Sequence, residues 1–167
     1  MQIIGDFTTS VHRALEEIDP NYEKYSGFVI CGTHNPEKWS VDAMLADIKF
    51  ARTHHMPTLL ICFGHQLGAI EYARNVLGIK DATSEEFGIG TFVVKKRPEL
   101  KVGVHDGETW WSNYETIEWT IPEHFIAVPY HPEYGSRKGK FHPDLVRFIN
   151  ICKSRKKKNL CKKSNVE

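Results

Sequence analysis

The stretch that decides the fold is PTLLICFGHQLGAIEYARNVLG, residues 57–78. An apolar run of strand length leads into apolar residues at helical spacing, and Gly78 ends the segment. A cysteine, Cys62, falls at the join. A side chain at such a turn is exposed at the end of a sheet and faces the N-terminus of a helix, which favours a thiolate. A buried structural cysteine is the alternative, because free cysteines are often buried.

Length and composition are those of an ordinary globular chain. The 167 residues are enough for one domain with a core, and 41% hydrophobic and 26% charged residues are typical of such domains. No apolar run has the length of a membrane span, and no signal-peptide pattern occurs, so we expect a cytoplasmic protein without membrane association. The four cysteines lack the spacing of a metal site. We expect neither a metal nor a cofactor.

Basic residues are concentrated at the C-terminal end. Residues 151–167 hold seven of the 22 Lys and Arg residues and one of the 21 Asp and Glu residues. Such a tail can bind nucleic acid or acidic partners, but basic termini are more often solvated and frayed. We therefore expect one domain over residues 1–152, a basic, disordered tail over residues 153–167, and no nucleic-acid partner.

Strands and helices alternate in the first half of the chain. Strand-like runs begin near Gln2, Phe28 and Thr58, and each is followed by apolar residues at helical spacing. This alternation predicts a three-layer α/β fold, in which a mostly parallel sheet has helices on both faces. Short strand-like pieces predict an added β-ribbon in the second half, at residues 91–94, 101–104, 117–120 and 125–128, with a turn at 105–107.

Three loops fall at the carboxyl ends of predicted strands, where ligands bind in sheets of this kind. They are residues 32–36, 62–66 and 130–133. Cys62, His131 and Glu133 in these loops suit nucleophilic catalysis, in which the thiol attacks, the imidazole transfers protons and the carboxylate orients the imidazole. The spacing by itself leaves their geometry open.

The same residues carry a family resemblance. CFGHQ at residues 62–66 with HPE at residues 131–133 resembles the class I (triad) glutamine amidotransferases. More specifically, IEYARNVLG (70–78), DATSEEF (81–87) and HPEYGSR (131–137) are similar to the glutaminase domain of CTP synthase. The resemblance covers most of residues 1–150 and implies the flavodoxin-like fold of that family.

The resemblance also implies an activity. Cys62 is the nucleophile, His131 the general base and acid, and Glu133 its partner. The implied reaction cleaves the side-chain amide of glutamine, or of a related γ-glutamyl or small amide, through a cysteine thioester and releases ammonia or an amine. A glutamine-like molecule is then the expected substrate, and a synthetase that accepts the ammonia in trans is a possible partner.

Further site residues follow from the same resemblance. The backbone N–H groups of Phe63 and of the Gly32-Thr33 loop correspond to an oxyanion hole. Gln66 and Glu86 match positions that hold the amino-acid end of the substrate, where the carboxylate of Glu86 suits an α-ammonium group.

The chain departs from the family pattern in its site. Leu60 stands where the family has glycine, and Gly32-Thr33 stands where it has a Gly-Gly pair. Asn113 stands in place of an arginine that grips the glutamine carboxylate. We predict that Asn113 and Trp111 contact the substrate, and they motivate an amide other than free glutamine. Leu60 motivates the alternative of a non-catalytic binding or regulatory subunit that retains the fold.

Overall fold

The computed structural model describes residues 1–105 and 108–164, with the side chains of residues 99–112 and 158–164 outside that description. The strands are β1 (Gln2–Ile4), β2 (Phe28–Ile30), β3 (Thr58–Ile61), β4 (Ala82–Ser84), β5 (Thr91–His105), β6 (Glu108–Thr116) and β7 (Phe125–Val128). The helices are α1 (Thr8–Ile18), α2 (Val41–Thr53), α3 (Phe63–Asn75), α4 (Pro132–Gly135) and α5 (Pro143–Ser164).

Four short strands form a parallel sheet in the order β1-β2-β3-β7. Leu59 of β3 pairs with Val29 of β2 on one side and with Ile126 of β7 on the other. Every residue of β2 and β3 is buried, which is typical of a parallel sheet covered on both faces. The carboxyl ends of β2, β3 and β7 therefore meet at one edge of the sheet.

The side chains of β3 alternate between two cores, because successive residues of a strand point to opposite faces. Leu60 packs on one face with residues of α2 and α3. Leu59 and Ile61 pack on the other face with residues of α1 and α5. Helices thus cover both faces of the sheet, and the predicted three-layer α/β fold is confirmed.

An ion pair fixes α3, the helix that follows Cys62, against α2. Arg52 donates from Nε and Nη2 to the two carboxylate oxygens of Glu71, at 2.9 and 2.8 Å. Glu71 is buried, and such two-point contacts restrict orientation more than a single hydrogen bond does. The α3 helix therefore starts from a defined position on the sheet.

The second half forms a three-stranded sheet in the order β4-β5-β6. Strands β5 and β6 are antiparallel and make the ribbon that the sequence predicts, with 91–94 and 101–104 inside one strand, β5. The strand predicted at 117–120 is wrong: β6 ends at Thr116, and Ile117 and Trp119 pack as irregular chain against the core that contains α3. Two residues of the predicted turn, Asp106 and Gly107, lie outside the described residues.

The last helix is longer than the sequence indicates. It runs over Pro143–Ser164, so the boundary expected at residue 152 falls inside α5. Lys153 pairs with Asp19 at 2.7 Å, and Arg155 donates two hydrogen bonds of 3.1 Å to the carbonyl oxygen of His54. Lysine and arginine are also good helix formers, so helix continues where a disordered tail was predicted. Neither α5 nor any other described helix has the length and apolar character that a membrane span requires.

Candidate active site

Cys62 lies at the turn between β3 and α3. Its φ of 52° and ψ of −102° fall in a region that non-glycine residues rarely adopt, and such strain is concentrated at functional sites. Neighbouring groups hold the turn: the Cys62 N–H donates to the carbonyl oxygen of Val128 at 2.9 Å. Gly64 allows α3 to approach β2, because a Cβ at this position would collide with the carbonyl oxygen of Ile30. The thiol is half-buried and lines a cavity.

Leu60, which the sequence marks as a departure, is accommodated in the core. Its side chain is fully buried in the cluster that contains residues of α2 and α3. Gly68 on α3 provides the space, because a Cβ there would lie 2.8 Å from Cδ1 of Leu60 and 2.7 Å from the ring of Trp119. The additional volume at position 60 is therefore matched by a glycine on the facing helix.

His131 pairs with Glu133 and faces the same cavity as Cys62. Its Nδ1 lies 2.8 Å from Oε1 of the fully buried Glu133, and its ring lines the same cavity as the Cys62 side chain. Burial lowers the pKa of His131, but the hydrogen bonds with Cys62 and Glu133 and the charges of these partners outweigh burial and raise it to about 9. The raised pKa favours the imidazolium form of His131. An imidazolium next to a thiol can stabilise the thiolate and can give a proton to a leaving amine.

The loop after β2 forms a second wall of the cavity. A Cβ on Gly32 would lie 2.6 Å from Cε1 of His131, so the glycine is what permits the imidazole to approach. The hydroxyl of Thr33 donates to Oδ2 of Asp6 at 2.5 Å and accepts from the Asn35 N–H at 2.9 Å. The hydrogen bond from Thr33 lowers the pKa of Asp6 and keeps this carboxylate charged. The side chain of Thr33 therefore fixes the loop where the family pattern has a second glycine.

Aromatic rings hold the His131 imidazole from two sides. Tyr134 stacks on it, with centroids 5.3 Å apart and an interplanar angle of 25°. Phe7 meets it edge-on, with centroids 5.2 Å apart and an angle of 84°. Phe7 also contacts the ring of His34, which lines the same cavity. These contacts restrict the imidazole to the orientation that reaches both Cys62 and Glu133.

Gln66 and Glu86 meet at another side of the cavity. Ser84 donates from Oγ to Oε1 of the buried Gln66 at 3.3 Å and accepts from the Glu86 N–H at 3.1 Å, and the Gln66 and Glu86 side chains line the same cavity. Burial raises the pKa of Glu86, and the hydrogen bond from Gln66 opposes that effect. Oε2 of Glu86 is buried and has no hydrogen-bond partner among the described residues. A partly desolvated carboxylate with a free acceptor is suited to a cationic group.

The cavity has a volume of about 280 Å³ and contains most of the predicted site residues. Its lining residues are Phe7, Thr33, His34, Cys62, Phe63, His65, Gln66, Glu86, Asn113, Tyr114, Thr116, Pro129 and His131. Gly32 and Glu133 lie directly behind His131. The side chain of Trp111 lies outside the described residues. Within the part of the chain that the structure describes, no three His, Cys, Asp or Glu side chains form a group that could hold a metal ion.

Several residues of the site were not identified from the sequence. Asp6 lies in the turn between β1 and α1. Because β1 pairs with β2, this turn lies next to the loop after β2, and the predicted strand order could have identified Asp6 as a neighbour of the site. Tyr134 follows the His-Pro-Glu motif, but its stacking on His131 depends on the short α4 helix. His65 lines the cavity, and burial lowers its pKa to about 4, so this imidazole is neutral at physiological pH.

Comparisons with known proteins identify the family of the chain. The family model "Glutamine amidotransferase class-I" matches residues 6–125. A CTP synthase of Methanoregula boonei is 27% identical over 198 residues, which cover 85% of this chain and 37% of that protein. A CTP synthase of Bdellovibrio bacteriovorus is 38% identical over 105 residues, which cover 60% of this chain and 18% of that protein. The chain thus spans well under half the length of these relatives.

A solved structure confirms the fold. The glutaminase domain of Trypanosoma brucei CTPS with bound acivicin superimposes with a TM-score of 0.69 and 19% identity, covering 92% of this chain and 93% of that domain. At this level of identity the likeness establishes the architecture, while the family model establishes the family. The chain belongs to the class I glutamine amidotransferases and is a relative of CTP synthase.

Proposed function

We propose that this protein hydrolyses the side-chain amide of a glutamine-type substrate, with Cys62 as nucleophile. The observation that carries the proposal is the Cys62–His131–Glu133 contact chain at the edge of the cavity. A thiol, an imidazole and an orienting carboxylate in hydrogen-bonding sequence are the groups that acyl transfer requires. Family membership supports the same reaction.

The first half of the reaction forms a thioester. The thiolate of Cys62 attacks the side-chain carbonyl carbon, and the carbonyl oxygen becomes an oxyanion. The imidazolium of His131 then gives its proton to the amide nitrogen, the C–N bond breaks, and ammonia leaves. Glu133 accepts from Nδ1 of His131, so that Nε2 is the nitrogen that exchanges the proton.

The second half restores the enzyme. The neutral imidazole of His131 takes a proton from water, and the resulting hydroxide attacks the thioester carbon. The C–S bond breaks, the imidazolium and thiolate form again, and the side-chain carboxylic acid that is released gives its proton to ammonia or water. One water is consumed and one ammonia is produced for each amide cleaved.

The oxyanion is the state that needs backbone donors. Phe63 is the first residue of α3, and the first N–H groups of a helix have no intrahelical partner. We assign one donor to Phe63 and the other to the Gly32-Thr33 loop, whose position Asp6 fixes. In enzymes of this type, one such donor contributes about 2.7–4 kcal/mol to transition-state stabilisation.

Released ammonia is useful to a synthetase. The relatives are CTP synthases of which this chain spans a fraction, so we propose that a synthetase or another ammonia acceptor works with it in trans. The alternative of a non-catalytic subunit was motivated by Leu60. Because the bulk of Leu60 is taken up opposite Gly68 and Cys62 retains its strained turn, we favour the catalytic function.

Ammonia release from millimolar glutamine and from a glutamine dipeptide tests the proposal. We expect release above the protein-free background by the wild-type protein, none above it by Cys62→Ala, and unchanged release by Cys152→Ala, a matched control at a buried cysteine that does not line the cavity. Equal release by wild type and Cys62→Ala, or no release from either substrate by folded wild type, would contradict it.

A further inference from the structure

We propose that the preferred substrate is the N-terminal glutamine of a peptide: a glutamine with a free α-ammonium group and with its α-carboxyl group in an amide bond. This inference rests on the proposed amide hydrolysis and names its substrate class. The net reaction is that the N-terminal glutamine and one water give an N-terminal glutamate and one ammonia.

The requirement for a free amino group comes from Glu86. Its Oε2 atom is buried without a partner among the described residues, and its other contact is with the neutral amide of Gln66. An α-ammonium group supplies both a donor and the opposite charge. An acylated amine offers neither a positive charge nor three donors, so peptides in which the glutamine is internal are excluded.

The preference for a blocked carboxyl group comes from the charges around the cavity. Among the described lining residues there is no lysine or arginine, and a free carboxylate would lie in the same cavity as the carboxylate of Glu86. The imidazolium of His131 is engaged by Cys62 and Glu133, and His65 is neutral because burial lowers its pKa to about 4. A carboxylate taken from water into such surroundings meets no guanidinium or ammonium group among the described lining residues, only the imidazoles of His34, His65 and His131. A neutral peptide group avoids this penalty.

Asn113 supplies the contact that a peptide group requires. A side-chain amide has both an acceptor and a donor, which match the N–H and the carbonyl oxygen of a peptide bond. Asn113 lies on β6, and Glu86 follows β4. These are the two outer strands of the three-stranded sheet, with β5 between them, so the two residues reach the cavity from opposite edges of that sheet. The α-ammonium and α-carboxyl groups of one substrate residue also point in different directions from its Cα atom, so one can face Glu86 while the other faces Asn113.

The surroundings of Asn113 also provide an exit for the rest of the peptide. Asn113 is exposed although it lines the cavity, whereas Gln66, which also lines it, is buried. A chain that continues from the α-carboxyl group therefore leads towards solvent. The cavity volume of about 280 Å³ is at the lower limit of small-molecule sites, so it holds one residue and leaves the next outside.

The experiment compares Gln-Gly, free glutamine and Gly-Gln as substrates of the wild-type protein. Ammonia release is measured together with identification of Glu-Gly by mass spectrometry, because spontaneous cyclisation of Gln-Gly also releases ammonia but gives a pyroglutamyl product. We expect kcat/KM for Gln-Gly to exceed that for free glutamine by about tenfold or more, because the α-carboxylate of free glutamine has no lysine or arginine partner in the described lining. We expect no turnover of Gly-Gln. Free glutamine hydrolysed as well as Gln-Gly would overturn the inference and leave the proposed hydrolysis intact. Release of ammonia from none of the three would overturn both.

Two charge variants test the assignment of the carboxyl end. Asn113→Arg introduces a cation at the cavity and is expected to raise the ratio of free glutamine to Gln-Gly turnover by about tenfold. Glu118→Arg places the same charge at an exposed position outside the lining residues and is expected to leave this ratio unchanged. Equal ratios in the two variants would contradict the role of Asn113.

Discussion

Gly32 and His131 are in contact so close that a methyl group on Gly32 would lie 2.6 Å from Cε1 and 3.1 Å from Nε2 of the imidazole. The contact links the loop after β2 to the loop after β7 across the end of β3. Three chain segments that are distant in sequence thus position one imidazole, with Cys62 on one side and Glu133 on the other.

Gly32→Ala tests this contact. The new methyl group must displace the His131 ring, and a misplacement of about 1 Å costs on the order of 100-fold in rate. We expect kcat/KM to fall by about that factor, with a loss of about 1–3 kcal/mol in the free energy of unfolding from overpacking. Ammonia release and urea denaturation measure the two effects. An unchanged kcat/KM would show that the contact does not position His131.

Removal of the Glu133 charge is expected to shift the pH dependence of the reaction. The pKa of His131 is raised to about 9, so kcat/KM decreases above about pH 9, when the imidazolium is lost. Glu133→Gln removes one cause of the raised pKa, and we expect the decrease to begin about 1–3 pH units lower. A pH profile of kcat/KM for both proteins measures the shift. A profile that is the same in both would contradict the role of Glu133.

The same pKa predicts a direction for stability. Because the folded state raises the pKa of His131 from 6.5 to about 9, the folded protein binds this proton more tightly than the unfolded chain does. The contribution to stability is fully present below pH 6.5 and is lost as the pH rises through about 9. Urea denaturation of wild type and His131→Ala across this pH range measures this contribution. The difference in the free energy of unfolding between the two proteins should shrink as the pH rises.

Tyr134 is predicted to be a positioning residue for the imidazolium. A cation stacked on an aromatic face gains about 0.5–1 kcal/mol at an exposed site, and Tyr134 is 55% exposed. We expect Tyr134→Ala to lower kcat/KM by about two- to fivefold. We also expect kcat/KM to begin its decrease at a lower pH than in the wild-type protein. Tyr134→Phe retains the ring and should restore both values. A Phe variant as impaired as the Ala variant would instead assign the effect to the hydroxyl group.

Leu60 is predicted to be a core residue of this chain, although its position is glycine in the family pattern. Leu60→Ala empties space beside Gly68 and is expected to cost about 3–5 kcal/mol in the free energy of unfolding. Leu77→Ala is the matched control, because Leu77 is 51% exposed and its loss should cost less than about 0.5 kcal/mol. Similar costs at both positions in chemical denaturation would mean that Leu60 does not contribute to the core.

Local patterns were sufficient to predict the fold, because each strand and helix of the parallel sheet has its own periodicity. Apolar runs at 28–30 and 58–61 and the helical spacing after Cys62 correspond to elements of the structure. The segment 117–120 shows the limit of this reasoning. Its apolar residues, Ile117 and Trp119, are explained by burial against the core and not by pairing with a strand.

The site was predictable only where a motif marks it. Cys62, His131 and Glu133 fall in loops that topology brings to one edge, where His131 pairs with Glu133 and shares a cavity with Cys62. The hydrogen bond between Asp6 and Thr33 joins two loops that only the strand order brings together, and the stacking of Tyr134 on His131 depends on the short α4 helix, which the sequence pattern did not predict. The helix beyond residue 152 was missed because its ties, to Asp19 and His54, are also long-range contacts.

The central claim, that Cys62 is the nucleophile of the site, is tested most directly by covalent trapping. A diazo-ketone analogue of glutamine alkylates an activated thiolate, loses N₂ and leaves a stable thioether that mass spectrometry locates. At neutral pH we predict one adduct, on Cys62, formed by wild type and by Cys152→Ala and absent from Cys62→Ala. An adduct on another cysteine, or a folded wild-type protein that forms none, would contradict the account.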